Sequence, residues 1–304
     1  MTRAVVFAYH DVGVCCLRVL LEAGVEVPLV VTHRDDPRER IWFASVAALA
    51  EEHGIERIFP DDPNTQAVVA KVRALRPQFL FSFYYRKMLG RELLETPSRG
   101  AFNMHGSLLP RYRGRAPVNW AVLKGETETG ATLHEMVEKP DAGRIVDQES
   151  VPIGPDDTAA EVFARVTDAA ETVMRRSLPG LIDGSAVLKA QNLSRGSYFG
   201  GRRPEDGRID WNQSALSIHN LIRAVAPPYP GAFTELPGGT LKVLRSRLEP
   251  RRKPRPGGPG LYFEDGRLLA DCSDGGVLAL LEYEARGAPL DIESLGRQKE
   301  ALKP

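Results

Sequence analysis

The chain has 304 residues, 42% of them hydrophobic and 26% charged, with 40 Lys and Arg balanced by 40 Asp and Glu. That length exceeds what one hydrophobic core usually organises, and the composition is that of a globular protein, so disordered and fibrous classes drop out and a two-domain chain is expected. A formal net charge of zero removes any global electrostatic drive toward nucleic acid or an anionic membrane.

In chain order, Ala4 to Tyr9 is a short run rich in Val and Phe, followed by a polar turn and an apolar-periodic stretch from Val14 to Ala23: strand, loop, helix. The alternation continues with a strand over Val27 to Thr32, helices over Ile41 to His53 and Thr65 to Leu75, and a strand over Gln78 to Phe83. Buried runs alternating with helices predict an α/β fold: a Rossmann-like, mainly parallel sheet with helices on both faces. Ala101 to His105 reads as a further strand ending in polar residues, and in open α/β sheets the ligand crevice lies at the carboxyl ends of the strands. A helix over Pro117 to Lys124 follows, then strands over Thr132 to Met136 and Arg144 to Ile153. A strongly periodic helix over Ala160 to Leu178 comes next, capped by the Pro155-Asp-Asp-Thr158 run. The first domain is expected to span residues 1–199. Over 200–304 a helix near Ser214 to Val225 precedes short strands near Phe233, Leu241 to Leu244, Leu261 to Phe263, Leu268 to Cys272 and Val277 to Tyr283, the pattern of a small C-terminal β-barrel of OB-like type. Arg251 to Gly260, basic and rich in Pro and Gly, reads as a mobile loop between strands.

Three cysteines, Cys15, Cys16 and Cys272, make neither a disulfide framework nor a tetrahedral metal set. The first apolar run is too short for a signal sequence, and no segment reaches the roughly 20 apolar residues of a membrane span. A cytoplasmic protein without membrane insertion is the expectation. His10, His33, His53, His134 and His219 show no metal-ligand spacing, so no metal is expected.

Chemistry concentrates in Phe102 to Pro117. Asn103 and His105 are two apart on a strand end, so both side chains face the same side of the sheet. One is an amide donor and the other a titratable acid or base, a pairing suited to acyl transfer: the amide donates to a developing oxyanion while the imidazole handles a proton or adds positive charge. Alone, His105 reads as well as a structural histidine at a strand end. Asp141, in a Pro/Gly loop between two strands, is placed to reach that imidazole and favour its charged form, although Asp before Ala-Gly is equally a turn former.

The run Asn103-x-His105-x-Ser107-Leu-Leu-Pro110, the following Tyr-Arg-Gly-Arg-Ala-Pro117, Glu128-Thr-Gly130 and Asp141-Ala-Gly143 resemble the folate-dependent formyltransferases. Phe7 to Asp11, Phe81 to Arg86, Arg223-Ala-Val-Ala-Pro227 and Pro230-Gly-Ala-Phe233 bring the chain nearest the branch formed by the formyltransferase half of bifunctional polymyxin-resistance proteins, which formylate UDP-4-amino-4-deoxy-L-arabinose in lipid A modification. The resemblance implies 10-formyltetrahydrofolate as co-substrate, Asn103, His105 and Asp141 as the catalytic set, and folate contacts at Lys87, Met88, Leu89, Arg115, Val137, Glu138, Lys139, Pro140 and Asp141. Arg115 reads equally well as a solvated charge. The chain departs from the bifunctional proteins in carrying no Rossmann glycine fingerprint for a decarboxylase domain, which leaves that activity to a separate partner or marks this as an excised domain.

Other readings are methionyl-tRNA formylation, another nucleotide-linked amino sugar as acceptor, and a non-catalytic folate-binding module. Against tRNA, residues 201–304 hold 16 Lys and Arg against 14 Asp and Glu, too even a balance for neutralising phosphates. Arg245 to Arg255 is the locally basic exception, either a solvated loop or a phosphate contact. A UDP-sugar needs only a few convergent donors, so no nucleic-acid partner is expected.

Overall fold

The computed structural model describes residues 1–37, 39–236, 239–287 and 300–301. It divides into two compact units, one made of Met1–Pro117, Thr129–Val151 and Ala164–Gly200, the other of Val118–Glu128, Pro152–Phe163 and the chain from Gly201 onward.

In chain order the elements up to residue 199 are β1 (Arg3–Ala8), α1 (His10–Glu22), β2 (Glu26–Val31), α2 (Val46–Glu52), β3 (Glu56–Ile58), α3 (Gln66–Ala74), β4 (Phe79–Phe83), α4 (Arg91–Leu94), β5 (Gly100–His105), β6 (Arg113–Gly114), α5 (Pro117–Leu123), β7 (Glu128–Glu135), β8 (Ile145–Pro152), α6 (Ala159–Asp183) and β9 (Tyr198–Phe199). Seven strands form one sheet in the order β3-β2-β1-β4-β5-β7-β8. β3, β2, β1, β4 and β5 run parallel, and β7 is antiparallel to β5. The expected mainly parallel sheet is therefore observed. The chain leaves β1 toward β2 and β3, then returns to place β4 on the other side of β1. This reversal makes the β1–β4 boundary the switch point where a crevice opens at the strand carboxyl ends.

One face of this sheet is closed by Val5, Phe7, Leu29, Val31 and Leu80, which pack with Val68, Val69 and Val72 of α3 and with Leu93. Phe79, Phe81, Phe83 and Phe102 stack among themselves at centroid separations of 5.6–6.2 Å. Burial of such rings provides the main drive for these strands, about 1.5–3 kcal/mol per large side chain.

Two helices depart from the periodicity. The stretch Ile41 to His53 is helical only from Val46, because Ser45 caps it, its Oγ accepting from Ala48 N at 3.2 Å, and the Asp11 carboxylate takes the Ala44 N–H at 2.8 Å. Trp42 and Phe43 are thereby released to pack against the His10 ring. Conversely, α6 runs through Pro179 to Asp183 instead of stopping at Leu178, and Arg99 satisfies the Leu181 and Ile182 carbonyls at 2.6 Å each. Its start is the predicted one: Thr158 and Glu161 exchange hydrogen bonds as a capping box.

In the second unit α7 (Ala215–Val225) precedes β10 (Ala232–Leu236), β11 (Gly239–Leu248), β12 (Gly260–Glu264), β13 (Arg267–Asp271), β14 (Val277–Gly287) and β15 (Glu300–Ala301). These strands form a six-stranded antiparallel half-barrel in the order β10-β11-β14-β13-β12-β15. Ile218 and Ile222 of α7 join Trp211, Leu241, Val243, Leu268 and Leu280 in its core. The basic Arg251 to Gly260 segment is tied down: Arg252 and Arg255 pair with Glu264, the Arg255 N–H donates to Asp271 at 2.8 Å, and the Arg255 guanidinium lies 4.0 Å from the Tyr262 ring centroid.

Candidate active site

The site grows from the end of β5. Asn103 and His105 are both on this strand, and the antiparallel register sets His134 of β7 directly opposite Asn103 and Thr132 opposite His105. Beyond β5 the chain is clamped. The Thr132 hydroxyl donates to the Ser107 carbonyl at 2.6 Å and accepts from Leu109 N and Gln148 Nε2, while the fully buried Ser107 donates to the Arg111 carbonyl at 2.7 Å. This is the local work of the Ser-Leu-Leu-Pro run. It fixes the Tyr112 carbonyl as the acceptor for His105 Nε2 at 2.8 Å.

Asp141 arrives on the loop after β7. The loop is closed at its base by a two-pronged Arg144–Glu135 pair at 2.8 and 2.9 Å, and Gln191 Nε2 donates to the Asp141 and Gly143 carbonyls at 3.0 and 2.6 Å. Gly143 is required here, since any Cβ would run into the Glu135 carbonyl. The Asp141 carboxylate lies 3.6 Å from His105 Nδ1 and 3.5 Å from His134 Nε2, and accepts from Gly114 N at 2.8 Å. Burial alone would raise its pKa. The positive potential of His105 and the Gly114 N–H more than offset that, so the carboxyl group is held well below its usual range and is ionised.

Asn103, His105 and Asp141 are thus brought together, with His134 as the joint. His134 Nδ1 faces the Glu135 carbonyl at 2.8 Å and must donate to it. Its Nε2 then carries the lone pair that accepts from Asn103 Nδ2 at 3.1 Å, leaving the second amide N–H of Asn103 for another acceptor. For His105, Nε2 donates to the Tyr112 carbonyl and Nδ1 faces the Asp141 carboxylate at 3.6 Å. The arrangement presents an oriented amide donor and an imidazole N–H at one edge of the sheet, the equipment for stabilising a developing oxyanion. No group of His, Cys, Asp and Glu that could hold a metal occurs among the described residues.

Backbone strain marks the same place. His10, Tyr84, Tyr112, Ala116 and Asp141 all have positive φ, between 49° and 68°: His10 opens α1, Tyr84 directly follows β4, Tyr112 and Ala116 sit in the β5–β7 connection and Asp141 in the β7–β8 loop. Such conformations cost about 1–3 kcal/mol each and persist where the surroundings over-determine them.

The residues expected to touch folate are arranged unequally. Met88 and Val137 expose 57% and 41% of their surface, an apolar area suited to covering by a flat ring system. Leu89 is buried in the sheet core, so only its backbone faces outward chemistry, and the Lys87 ammonium is engaged with the Pro60 and Asp61 carbonyls. Glu138, Lys139 and Arg115 are exposed, and Pro140 is half-buried. His134 was missed by the sequence reading. Its only signal was period-2 spacing from Thr132, and its meaning depends on the cross-strand register.

The formyl transferase family model matches residues 16–178, and the model of the formyl transferase C-terminal domain matches 202–300. Among solved structures the chain is similar to an N-formyltransferase from Helicobacter canadensis in complex with folinic acid and dTDP-3-aminofucose, with a TM-score of 0.74, 21% identity, and 94% of this chain and 100% of that chain covered. It is also similar to a sugar 3N-formyltransferase with dTDP and 5-N-formyl-THF, with a TM-score of 0.71, 20% identity and coverage of 96% and 98%. A methionyl-tRNA formyltransferase from Clostridium thermocellum is similar as well, with a TM-score of 0.60, 16% identity and coverage of 95% and 100%. These likenesses are of fold, whereas the family match spans both units. With the amide, imidazole and carboxylate assembled at the strand ends, the chain belongs to the formyl transferase family.

Proposed function

We propose that this enzyme transfers the formyl group of 10-formyltetrahydrofolate to the amine of a nucleotide-linked amino sugar, with UDP-4-amino-4-deoxy-L-arabinose, destined for lipid A modification, as the acceptor. The observation that carries the chemistry is the contact series Asn103–His134–Asp141–His105, which leaves one oriented amide N–H and holds the His105 ring between the Tyr112 carbonyl and the Asp141 carboxylate. The co-substrate supplies the activated formyl group and carries away the leaving nitrogen. Asn103 donates its second N–H to the formyl oxygen as negative charge develops there under attack by the neutral amine. His105 gives its Nε2–H, held in the free site by the Tyr112 carbonyl, to the departing nitrogen, directly or through a water that it orients, and the proton lost by the attacking amine restores the imidazole. Asp141, itself ionised, faces the other ring nitrogen at 3.6 Å and aims the ring.

The acceptor follows from charge. Four of the six cations in the segment that offered a phosphate surface for tRNA are paired locally: Arg245 lies 2.6 Å from Glu161, Arg247 3.3 Å from Glu249, and Arg252 and Arg255 pair with Glu264. That favours a small substrate over a polyanion. Two of the similar structures carry dTDP or a dTDP-sugar, which supports the same class. The decisive experiment incubates the enzyme with 10-formyltetrahydrofolate and a panel of UDP- and dTDP-amino sugars, with methionyl-tRNA as control. Formylation of UDP-4-amino-4-deoxy-L-arabinose is expected, and formylation of methionyl-tRNA alone refutes the reading.

A further inference from the structure

Arg113 is an anomaly among the buried arginines. Only 9% of it is exposed, its Nε is shut off from solvent with no hydrogen-bond partner, and among the described residues its guanidinium makes no hydrogen bond or ion pair. Proteins ordinarily pair or hydrogen-bond a buried cation, because taking its charge out of water unanswered is unfavourable. Arg223, comparably buried at 5%, shows the ordinary solution: its Nε donates to Asn220 Oδ1 at 2.9 Å and its Nη1 to the Gly154 and Asp157 carbonyls.

The position of Arg113 is as unusual as its lack of a partner. The residue before it supplies the carbonyl that receives His105 Nε2, and the residue after it supplies the N–H that holds Asp141. Its own N–H and that of Arg115 are clamped by the Ser197 and Phe199 carbonyls at 3.0 and 2.9 Å. Gly114, at φ 97°, is packed so tightly on the Phe199 carbonyl that no side chain fits. The guanidinium is therefore rooted in a rigid two-residue strand, one residue from each of the groups that hold the imidazole and the carboxylate.

We infer that Arg113 is an oxyanion clamp of the substrate site, whose counter-charge arrives with the acceptor as the phosphate of its nucleotide. This rests on the sugar-nucleotide reading above. A guanidinium fork matches phosphate or carboxylate in two-pronged fashion, so the glutamyl carboxylate of the folate is the one other bound group with the same chemistry.

The test uses the full chain and its Arg113→Met and Arg113→Lys variants. Calorimetric titrations with UDP, dTDP, inorganic pyrophosphate and 5-formyltetrahydrofolate are combined with thermal unfolding in the absence of ligand. Arg113→Met is expected to bind UDP or dTDP about 10- to 100-fold more weakly, the loss of hydrogen bonds to a charged group. Its folate affinity is expected to be unchanged and its ligand-free Tm unchanged or raised, because an unpaired buried charge has gone. Arg113→Lys, a point charge without the fork, should recover only part of the affinity. A Tm lowered by several degrees without ligand means a structural arginine and overturns the inference, as does unchanged affinity for every probe. Loss confined to 5-formyltetrahydrofolate overturns the acceptor assignment and moves the clamp to the folate carboxylate. A wild-type chain that binds pyrophosphate through Arg113 but neither nucleotide sinks the sugar-nucleotide reading while keeping the clamp.

Discussion

Each unit buries a histidine near an arginine and a carboxylate, and the two groups differ in how completely their hydrogen bonds are made. In the second unit His219, 2% exposed, has Nδ1 on the Ser246 hydroxyl and Nε2 on the Pro155 carbonyl, both at 2.9 Å, and Arg223 is engaged through Nε and Nη1. Burial lowers the pKa of this histidine, with the Pro155 carbonyl working against that shift. In the first unit His105 is nearly as buried, at 6%, yet it faces an ionised Asp141, Asn103 retains an uncommitted N–H, the Arg113 side chain has no hydrogen bond or ion pair among the described residues, and the backbone at Tyr112 and Asp141 is strained. Burial is common to both groups. Incomplete satisfaction belongs to one, and it is the better mark of a site that awaits a ligand.

The largest effect that would break this contrast is at Asn103. Asn103→Ala should lower kcat about 10²–10³-fold while the protein stays folded, because one oxyanion donor is lost. Near-normal turnover in a formyl-transfer assay would remove Asn103 from the mechanism. His134→Phe tests whether the amide must be aimed: kcat should fall by up to about 10²-fold with circular dichroism unchanged, the cost of misplacing a reacting group. In the second unit the sign of the effect moves to stability. His219→Leu leaves the Ser246 hydroxyl and the Pro155 carbonyl unpaired and should cost about 1–3 kcal/mol in denaturant unfolding, with kcat unaltered. Should His219→Leu instead lose activity at full stability, the distinction between the two groups fails.

The smallest effect is a pH dependence beside the crevice. His33, whose Nε2 accepts from the Arg86 N–H at 3.0 Å, has its pKa lowered to about 4 by burial and by the nearby Lys87 and Arg86 charges. A base with a depressed folded pKa is protonated first in the unfolded chain. Its contribution is therefore complete above pH ~6.5 and is lost as pH falls from there toward 4, by about 1 kcal/mol once partial exposure is allowed for. Unfolding curves at pH 7 and pH 5 should differ less for His33→Gln than for wild type. An identical difference in the two proteins would assign the acid loss to other groups.

The amino-acid order alone was enough for the parallel α/β core, because runs such as Phe79–Phe83 are too apolar to be anything but buried strands, and for the pairing of Asn103 with His105, because period 2 is a local property of one strand. Asp141 read equally as a turn former and as a carboxylate reaching the imidazole, and its contact with His105 depends on a loop closed by Glu135, Arg144 and Gln191. The helix expected from Ile41 gave way to tertiary demands, with Asp11 and Ser45 setting its start and the His10 ring taking Trp42 and Phe43. β3, three residues long, and α4, one turn, were too short to leave a periodic signal. His134 and Arg113 lay beyond the reach of pattern: the first acts through a register linking positions 31 apart, the second stands out because its buried side chain meets no partner among the described residues. Spacing along a chain encodes which face a side chain takes, but whether a buried charge is answered is decided only when distant segments meet.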